Sequence, residues 1–115
     1  MTPSALLPAT LSVTVNSVVT LALTIGNPSD APLDITFGSG QQFDFTITNA
    51  TLALVWQWSA GMVFAQFLST HTVAAHASLV YTAQWMPTVK GTLHATGQLV
   101  GVSHHATASA SLVIR

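Results

Sequence analysis

Few side chains in this sequence could take part in chemistry, and their spacing does not bring them together. His71, His76 and His94 are scattered without a carboxylate at ligand spacing, and there is no cysteine for a thiolate zinc site. His104 and His105 are adjacent, so on a strand their rings point to opposite faces and are not expected to bind one ion together. There is no GxSxG motif for a nucleophilic serine, and only 3 carboxylates could orient a histidine. The sequence therefore predicts no metal site, no cofactor and no enzyme.

Asp44 is the only charged residue in the apolar stretch 43–61, FDFTITNATLALVWQWSAG. It stands between Phe43 and Phe45, so on a strand its side chain points away from the face that these rings bury. We expect a solvent-side or turn-capping carboxylate that accepts backbone N–H groups near residues 38–42. A role in binding is the alternative.

Alternating apolar residues indicate the strands that must position these groups. The pattern occurs at residues 13–15, 19–25, 33–37, 43–47, 52–58, 79–85, 93–99 and 108–114. Turn formers such as 26–30 (GNPSD) and Met86-Pro87 separate these segments. The pattern predicts an all-β domain, a single immunoglobulin-like antiparallel β-sandwich of about seven to eight strands. The stretch 61–69, GMVFAQFLS, lacks the alternation and is expected to form a helical turn or an irregular crossing between sheets.

A hairpin that turns near residues 48–51 would place alternate residues of the opening stretch on one buried face. Its members would be Phe43, Phe45, Ile47, Leu52, Leu54, Trp56 and Trp58. The predicted core of the domain contains Leu21, Leu23, Ile35, Phe45, Ile47, Leu54, Trp56, Tyr81, Leu99 and Leu112. In this register Trp56→Ala should cost about 3 to 5 kcal/mol, whereas Gln57→Ala, on the opposite face, should cost little.

Charge is the most unusual property of the composition. Asp, Glu, Lys and Arg make up 4% of the 115 residues, with 2 basic residues and a net charge of -1. Such a chain offers no electrostatic footprint for nucleic acid or anionic lipid. Its mean hydropathy is +0.57, yet polar residues interrupt every apolar run well before the about 20 residues that a spanning helix needs. Neither a nucleic-acid partner nor a membrane span is expected.

The N-terminal residues MTPSALLPATLS bear on where the protein is located. They lack a basic region, and Pro3 and Pro8 interrupt the apolar stretch that a secretory signal needs. Two locations stay open: the cytoplasm, or outside the cell if the chain is a mature or assembled form. The sequon Asn49-Ala50-Thr51 would bear on glycosylation only in an exported protein.

Several short motifs occur in one order along the chain. They are Asn27-Pro28-Ser29, Ser39-Gly40-Gln41, Phe43-Asp44-Phe45, Trp56-x-Trp58-Ser59, Phe64-x-Gln66 and Trp85. This set resembles the BsuPI family, the bacterial intracellular proteinase inhibitors, from about residue 11 to residue 115 and without large gaps. It leaves residues 1–10 as an N-terminal segment. The resemblance implies an immunoglobulin-like sandwich without a cofactor and, for the founding type, inhibition of intracellular serine proteases.

An inhibitor of this kind would need an exposed, rigid loop that enters the protease cleft in extended form. Since the chain has no cysteines, packing must hold such a loop in place. The segment from Trp58 to Phe67 is the candidate, with Met62 and Phe64 as anchors. The predicted contact residues are Trp58, Ser59, Met62, Val63, Phe64 and Phe67.

Members of this family usually carry charges at two places where this chain has none, residues 48–53 and 59–63. Uncharged strand edges are templates for pairing with another chain. The second hypothesis is therefore a self-assembling subunit of a fibre, tube or coat, whose partners would be copies of itself in a homo-polymer. The expected connector is the segment Thr2–Thr14, acting by donor-strand pairing, and its candidate assembly residues are Leu6, Leu7, Leu11 and Val13.

Overall fold

A computed structural model describes residues 5–115 and shows a sandwich of strands joined by loops. The strands are β1 (Ala5–Leu6), β2 (Ala9–Val15), β3 (Val19–Gly26), β4 (Leu33–Phe37), β5 (Phe43–Asn49), β6 (Leu54–Gln57), β7 (Ser69–Val73), β8 (Ser78–Trp85), β9 (Gly91–Val100) and β10 (His104–Ile114). Within residues 5–115, no helix is long and apolar enough to cross a membrane. The predicted all-β sandwich is confirmed.

Residues 5–115 form ten strands, so the expected number of seven to eight was too low. Strand β7, with the sequence STHTV, escaped prediction because only Val73 is buried and its exposed residues follow one another without alternation. Strand β1 is two residues long, too short for any periodicity to show. Both additions lie at or near sheet edges, where a strand buries little of its surface.

The strands form three sheets. The five-stranded sheet has the order β1-β10-β9-β5-β6, the three-stranded sheet the order β2-β3-β8, and β4 pairs with β7. All pairs are antiparallel except β1 with β10. Rings meet across the interior between the two larger sheets, with centroids 4.5 Å apart for Phe43 and Tyr81 and 6.2 Å apart for Trp56 and Trp85. The core therefore lies between these two sheets.

The predicted core is largely confirmed. Buried as predicted are Leu21, Leu23, Ile35, Phe45, Ile47, Leu99 and Leu112. Trp56 and Tyr81 are half-buried and pack against this cluster. Gly97 makes room for the ring of Phe45, because a Cβ there would lie 3.1 Å from Cε1 of Phe45 and 3.2 Å from Cδ1 of Leu23.

The predicted burial of Leu52 and Leu54 is wrong. Leu52 is 75% exposed because it lies in the turn before β6, and Leu54 is 60% exposed because a bulge shifts the register between β5 and β6. Trp56 stands opposite Ile47, but the next pair is Leu54 with Thr48, which leaves Val55 as an extra residue. Leu54 consequently shares the outer face with Thr48.

The turn between β5 and β6 is held by Asn49, in agreement with the predicted hairpin. Its side-chain oxygen accepts hydrogen bonds from the amides of Thr51 and Ala53 and from the hydroxyl of Thr51. Leu52 completes the turn with a φ of 67°, a left-handed conformation that is uncommon outside glycine. The side-chain oxygen of Asn49, the sequon asparagine, is therefore already used in hydrogen bonds within the turn.

The described part of the N-terminal segment pairs with its own domain. The amides of Ala5 and Leu7 donate to the carbonyls of Ser103 and His105, and the amide of Gly26 donates to the carbonyl of Pro8. Residues 5–9, called here the N-terminal crossing, therefore pass from the five-stranded to the three-stranded sheet. Residues 2–4 of the expected connector lie outside the described residues.

Candidate functional site

The longest irregular segment within residues 5–115 joins β6 to β7 and is called here the crossing loop, residues 58–68. It turns sharply at its start, where the amide of Ala60 donates to the carbonyl of Gln57 and the amide of Met62 to the carbonyl of Ser59. From there it runs without regular structure to β7 in another sheet. Of the two alternatives for residues 61–69, the irregular crossing is confirmed.

Asp44 holds the beginning of the crossing loop. Its Oδ2 accepts hydrogen bonds from the hydroxyl of Ser59 at 2.6 Å and from Nε2 of Gln57 at 2.7 Å. Its Oδ1 accepts the amides of Ser59 at 3.1 Å and of Phe45 at 2.9 Å. Four donors thus converge on one carboxylate that is only 7% exposed, which fixes the direction in which the chain leaves β6.

The expectation for Asp44 was wrong in two respects. The carboxylate is buried rather than on the solvent side, and it caps residues 57–59 instead of residues 38–42. Gln57 stands opposite Thr46 in the sheet, on the same face as Asp44, and the turn that follows β6 brings Ser59 back over the carboxylate. Asp44 does cap a turn, as predicted, but it caps the turn that follows the neighbouring strand β6.

A row of rings attaches the loop to the core. Centroid distances are 5.9 Å from Phe64 to Trp58, 4.2 Å from Trp58 to Phe43 and 4.5 Å from Phe43 to Tyr81. The Tyr81 hydroxyl ends the row by donating to Oε1 of Gln42 at 2.9 Å. Burial raises the pKa of the Tyr81 phenol to about 12. Ring contacts of this geometry add to the energy of burial and fix the orientation of each member.

The second half of the loop rests on the turn before β5. The amide of Gly40 donates to the carbonyl of Ala65 at 2.8 Å. The Phe67 ring also lies beside this turn, since a Cβ at Gly40 would be in ordinary van der Waals contact with its Cε1, at 3.4 Å. The loop is thus fastened at both ends.

The structure divides the predicted contact residues into supports and an exposed surface. Trp58, Ser59 and Phe64 are half-buried and face the domain. The exposed apolar residues are Met62 at 46%, Val63 at 97%, Phe67 at 50% and Leu68 at 76%. The supports Asp44 and Gly40 and the exposed Leu68 were not among the predicted contact residues. Asp44 was recognisable as the lone charge of an apolar stretch, but its partners were not.

The candidate assembly residues lie elsewhere, in and beside the N-terminal crossing. Leu7 is buried in the core, and Leu11 and Val13 are half-buried against it. Leu6 is 67% exposed. The apolar character of this segment is therefore largely used within its own domain.

The crossing loop presents uncharged and largely apolar side chains. No charged residue occurs in the loop. In the range 5–115, no three residues of His, Cys, Asp or Glu are grouped so as to hold a metal ion. Exposed apolar side chains on a fastened backbone are suited to filling pockets of a partner protein.

The comparison with known proteins gives one finding. The family model BsuPI, intracellular proteinase inhibitor, matches residues 9–104, which include the whole of the crossing loop and its supports. No curated protein matches the chain. The family match covers most of the sequence, and the chain therefore belongs to the BsuPI family of intracellular proteinase inhibitors.

Proposed function

We propose that this protein is a non-enzymatic binding module that inhibits a serine protease by inserting the crossing loop into the active-site cleft. Family membership supports an inhibitor-like module. The observation that carries the proposal is the loop itself, which exposes Val63 almost completely while Asp44 and Gly40 hold its two ends.

Fastening is what separates an inhibitor from a substrate. A flexible peptide loses conformational entropy when it enters a cleft and leaves readily after cleavage, whereas a preorganised loop loses little. Here hydrogen bonds to Asp44 and the contact of Phe64 with Trp58 take the place of the disulfides that many small extracellular domains use. The loop can therefore present one conformation to a partner without any cysteine.

The test is a titration of a subtilisin-like protease with the purified protein. We expect proteolysis of a small chromogenic substrate to fall in proportion to the inhibitor added, because the loop would occupy the cleft. A variant in which residues 61–67 are replaced by a glycine-serine linker is the matched control and should not inhibit. Unchanged protease activity at micromolar concentrations of the natural protein would contradict the proposal.

A second candidate function, self-association, is favoured by the ends of the sheets. Strands β6 and β8 are end strands, and neither carries a charged residue. Near β6, Leu52 and Leu54 are exposed. Unguarded edges of this kind pair readily with other chains.

In this second function the N-terminal crossing would serve as the connector. Its contacts with β10 and β3 are made within one domain, and the same contacts could form between two copies by exchange of the segment. Light scattering over a range of concentrations tests the idea. A particle mass that grows with concentration would support assembly, and a monomer at every concentration would contradict it.

A further inference from the structure

We infer that Val63 is the residue that enters the primary specificity pocket of the protease, and that the partner is a serine protease with an apolar, uncharged pocket. The inference rests on the proposed inhibitory function and specifies its contact residue and its partner.

The exposure of the loop residues selects Val63. Its side chain is 97% exposed, more than any other exposed large apolar residue of the range 5–115. The next residue, Phe64, turns inward and contacts Trp58. A side chain that projects alone beside an inward-facing ring is placed to enter a pocket while its neighbour keeps the loop in position.

The backbone around Val63 is available for pairing. Met62 before it uses its amide in the turn with Ser59, and Ala65 after it uses its carbonyl to accept from Gly40. Among residues 5–115, no partner forms a backbone hydrogen bond with the amide or the carbonyl of Val63. Protease clefts bind peptides in extended form through such groups, as sheet edges do. The main chain is thus fixed at Met62 and at Ala65, and the main-chain groups of Val63 between them can pair with a protease.

The chemistry of the loop decides the kind of pocket. A trypsin-like pocket contains a buried carboxylate that needs a Lys or Arg partner. The basic residues of the chain are Lys90, which precedes β9, and Arg115, which follows β10, so neither lies in the loop. A valine in such a pocket would leave the carboxylate desolvated and unpaired, which is costly. A branched aliphatic side chain fits an apolar pocket.

The inference also fixes the bond at which slow cleavage would occur. A protease that holds Val63 in its primary pocket hydrolyses the peptide bond from Val63 to Phe64. Water supplies a hydroxyl to the Val63 carbonyl carbon and a proton to the Phe64 nitrogen, and no other reactant is needed. Contact of Phe64 with Trp58 keeps the new N-terminus close to the cut, which slows release of the product.

The experiment compares Val63→Lys with Val80→Lys against two proteases, one with an apolar pocket and trypsin. Val80 is 53% exposed on β8 and serves as the matched control. We expect the natural protein to inhibit the first protease and not trypsin. Val63→Lys should bind the first protease at least about 30-fold more weakly, as for a central interface residue, and should gain inhibition of trypsin. Val80→Lys should behave as the natural protein does.

Mass spectrometry after long incubation of the natural protein should find one cut, after Val63. Thermal unfolding of both variants should match the natural protein, because both positions are exposed. Inhibition that persists in Val63→Lys, or a cut at another bond, would overturn the assignment of Val63 and leave the inhibitory function standing. Inhibition of trypsin by the natural protein would overturn the apolar pocket. Inhibition of neither protease would overturn this inference together with the proposed function.

Discussion

Two of the segments that pass between sheets, the N-terminal crossing and the crossing loop, are held in different ways. The N-terminal crossing is held by its backbone, because Ala5, Leu7 and Pro8 form main-chain hydrogen bonds with the start of β10, the residue before it, or the end of β3. The crossing loop is held at its start by the carboxylate of Asp44 and further along by one backbone bond, from Gly40 to Ala65. A crossing held through its backbone has used the groups with which it could pair with a partner. In the crossing loop Met62 and Ala65 have also used main-chain groups, but Val63 between them forms no main-chain hydrogen bond within residues 5–115 and so keeps groups with which a partner could pair.

The largest effect is expected at the strand from which the crossing loop starts. Trp56 packs against the core and against Trp85, so Trp56→Ala should lower the free energy of unfolding by about 3 kcal/mol. Gln57→Ala should cost about 1.5 kcal/mol, more than the sequence predicted, because its amide donates to the buried Asp44. Urea unfolding of both variants measures the difference. If Gln57→Ala were the costlier change, the observed facing of β6 would be wrong.

The N-terminal crossing should matter for stability and not for binding. Leu7 is buried, so Leu7→Ala should cost about 2 to 3 kcal/mol in urea unfolding, while the exposed Leu6→Ala should cost less than about 0.5 kcal/mol. Where Leu7→Ala is still folded, its inhibition of the protease should equal that of the natural protein. Loss of inhibition at full folding would show that the two crossings are not independent.

Removing the carboxylate that fastens the crossing loop should make the loop a substrate that the protease cuts rapidly. Asp44→Asn keeps the size of the side chain but loses the charge that two donors of Ser59 and one of Gln57 share, at about 2 kcal/mol of stability. The loosened loop should then be cut rapidly as a substrate, which the rate of fragment formation on a gel would show. Asp34→Asn is the control, because that carboxylate is exposed and, within residues 5–115, accepts a side-chain hydrogen bond from Thr72 alone. Equal cutting rates for both variants would mean that Asp44 does not fasten the loop.

The sequence predicted what alternation encodes and missed what depends on distant partners. Phe45 and Ile47 are buried because nothing interrupts their period of two, and the same rule placed β3 and β9 correctly. The extra residue Val55 places the side chain of Leu54 on the outer face, opposite to the prediction. The local sequence does not predict this bulge, because it forms only when β6 pairs with β5. The stretch 61–69 lacks alternation, and the structure shows it as irregular with Val63 exposed, while its role in binding stays a prediction. That Asp44 binds Ser59, 15 residues away, depends on the fold of the whole hairpin.

The smallest effect is expected at the far end of the ring row, at Tyr81. Unfolding returns its phenol to the ordinary pKa of about 10, whereas burial in the fold raises that pKa to about 12. Between these values the unfolded chain releases a proton that the folded chain retains, so the contribution of Tyr81 to stability is complete below pH 10 and is lost as the pH rises to 12.

Tyr81 is the only tyrosine, so phenolate absorbance reports it alone. In native protein the absorbance should rise with a midpoint near pH 12, and in urea near pH 10. Tryptophan fluorescence followed in parallel must stay native up to that midpoint, and Tyr81→Phe should abolish the absorbance change while leaving inhibition at neutral pH intact. A native midpoint near pH 10 would show that the ring row leaves the phenol solvated and would contradict its burial at the end of the row.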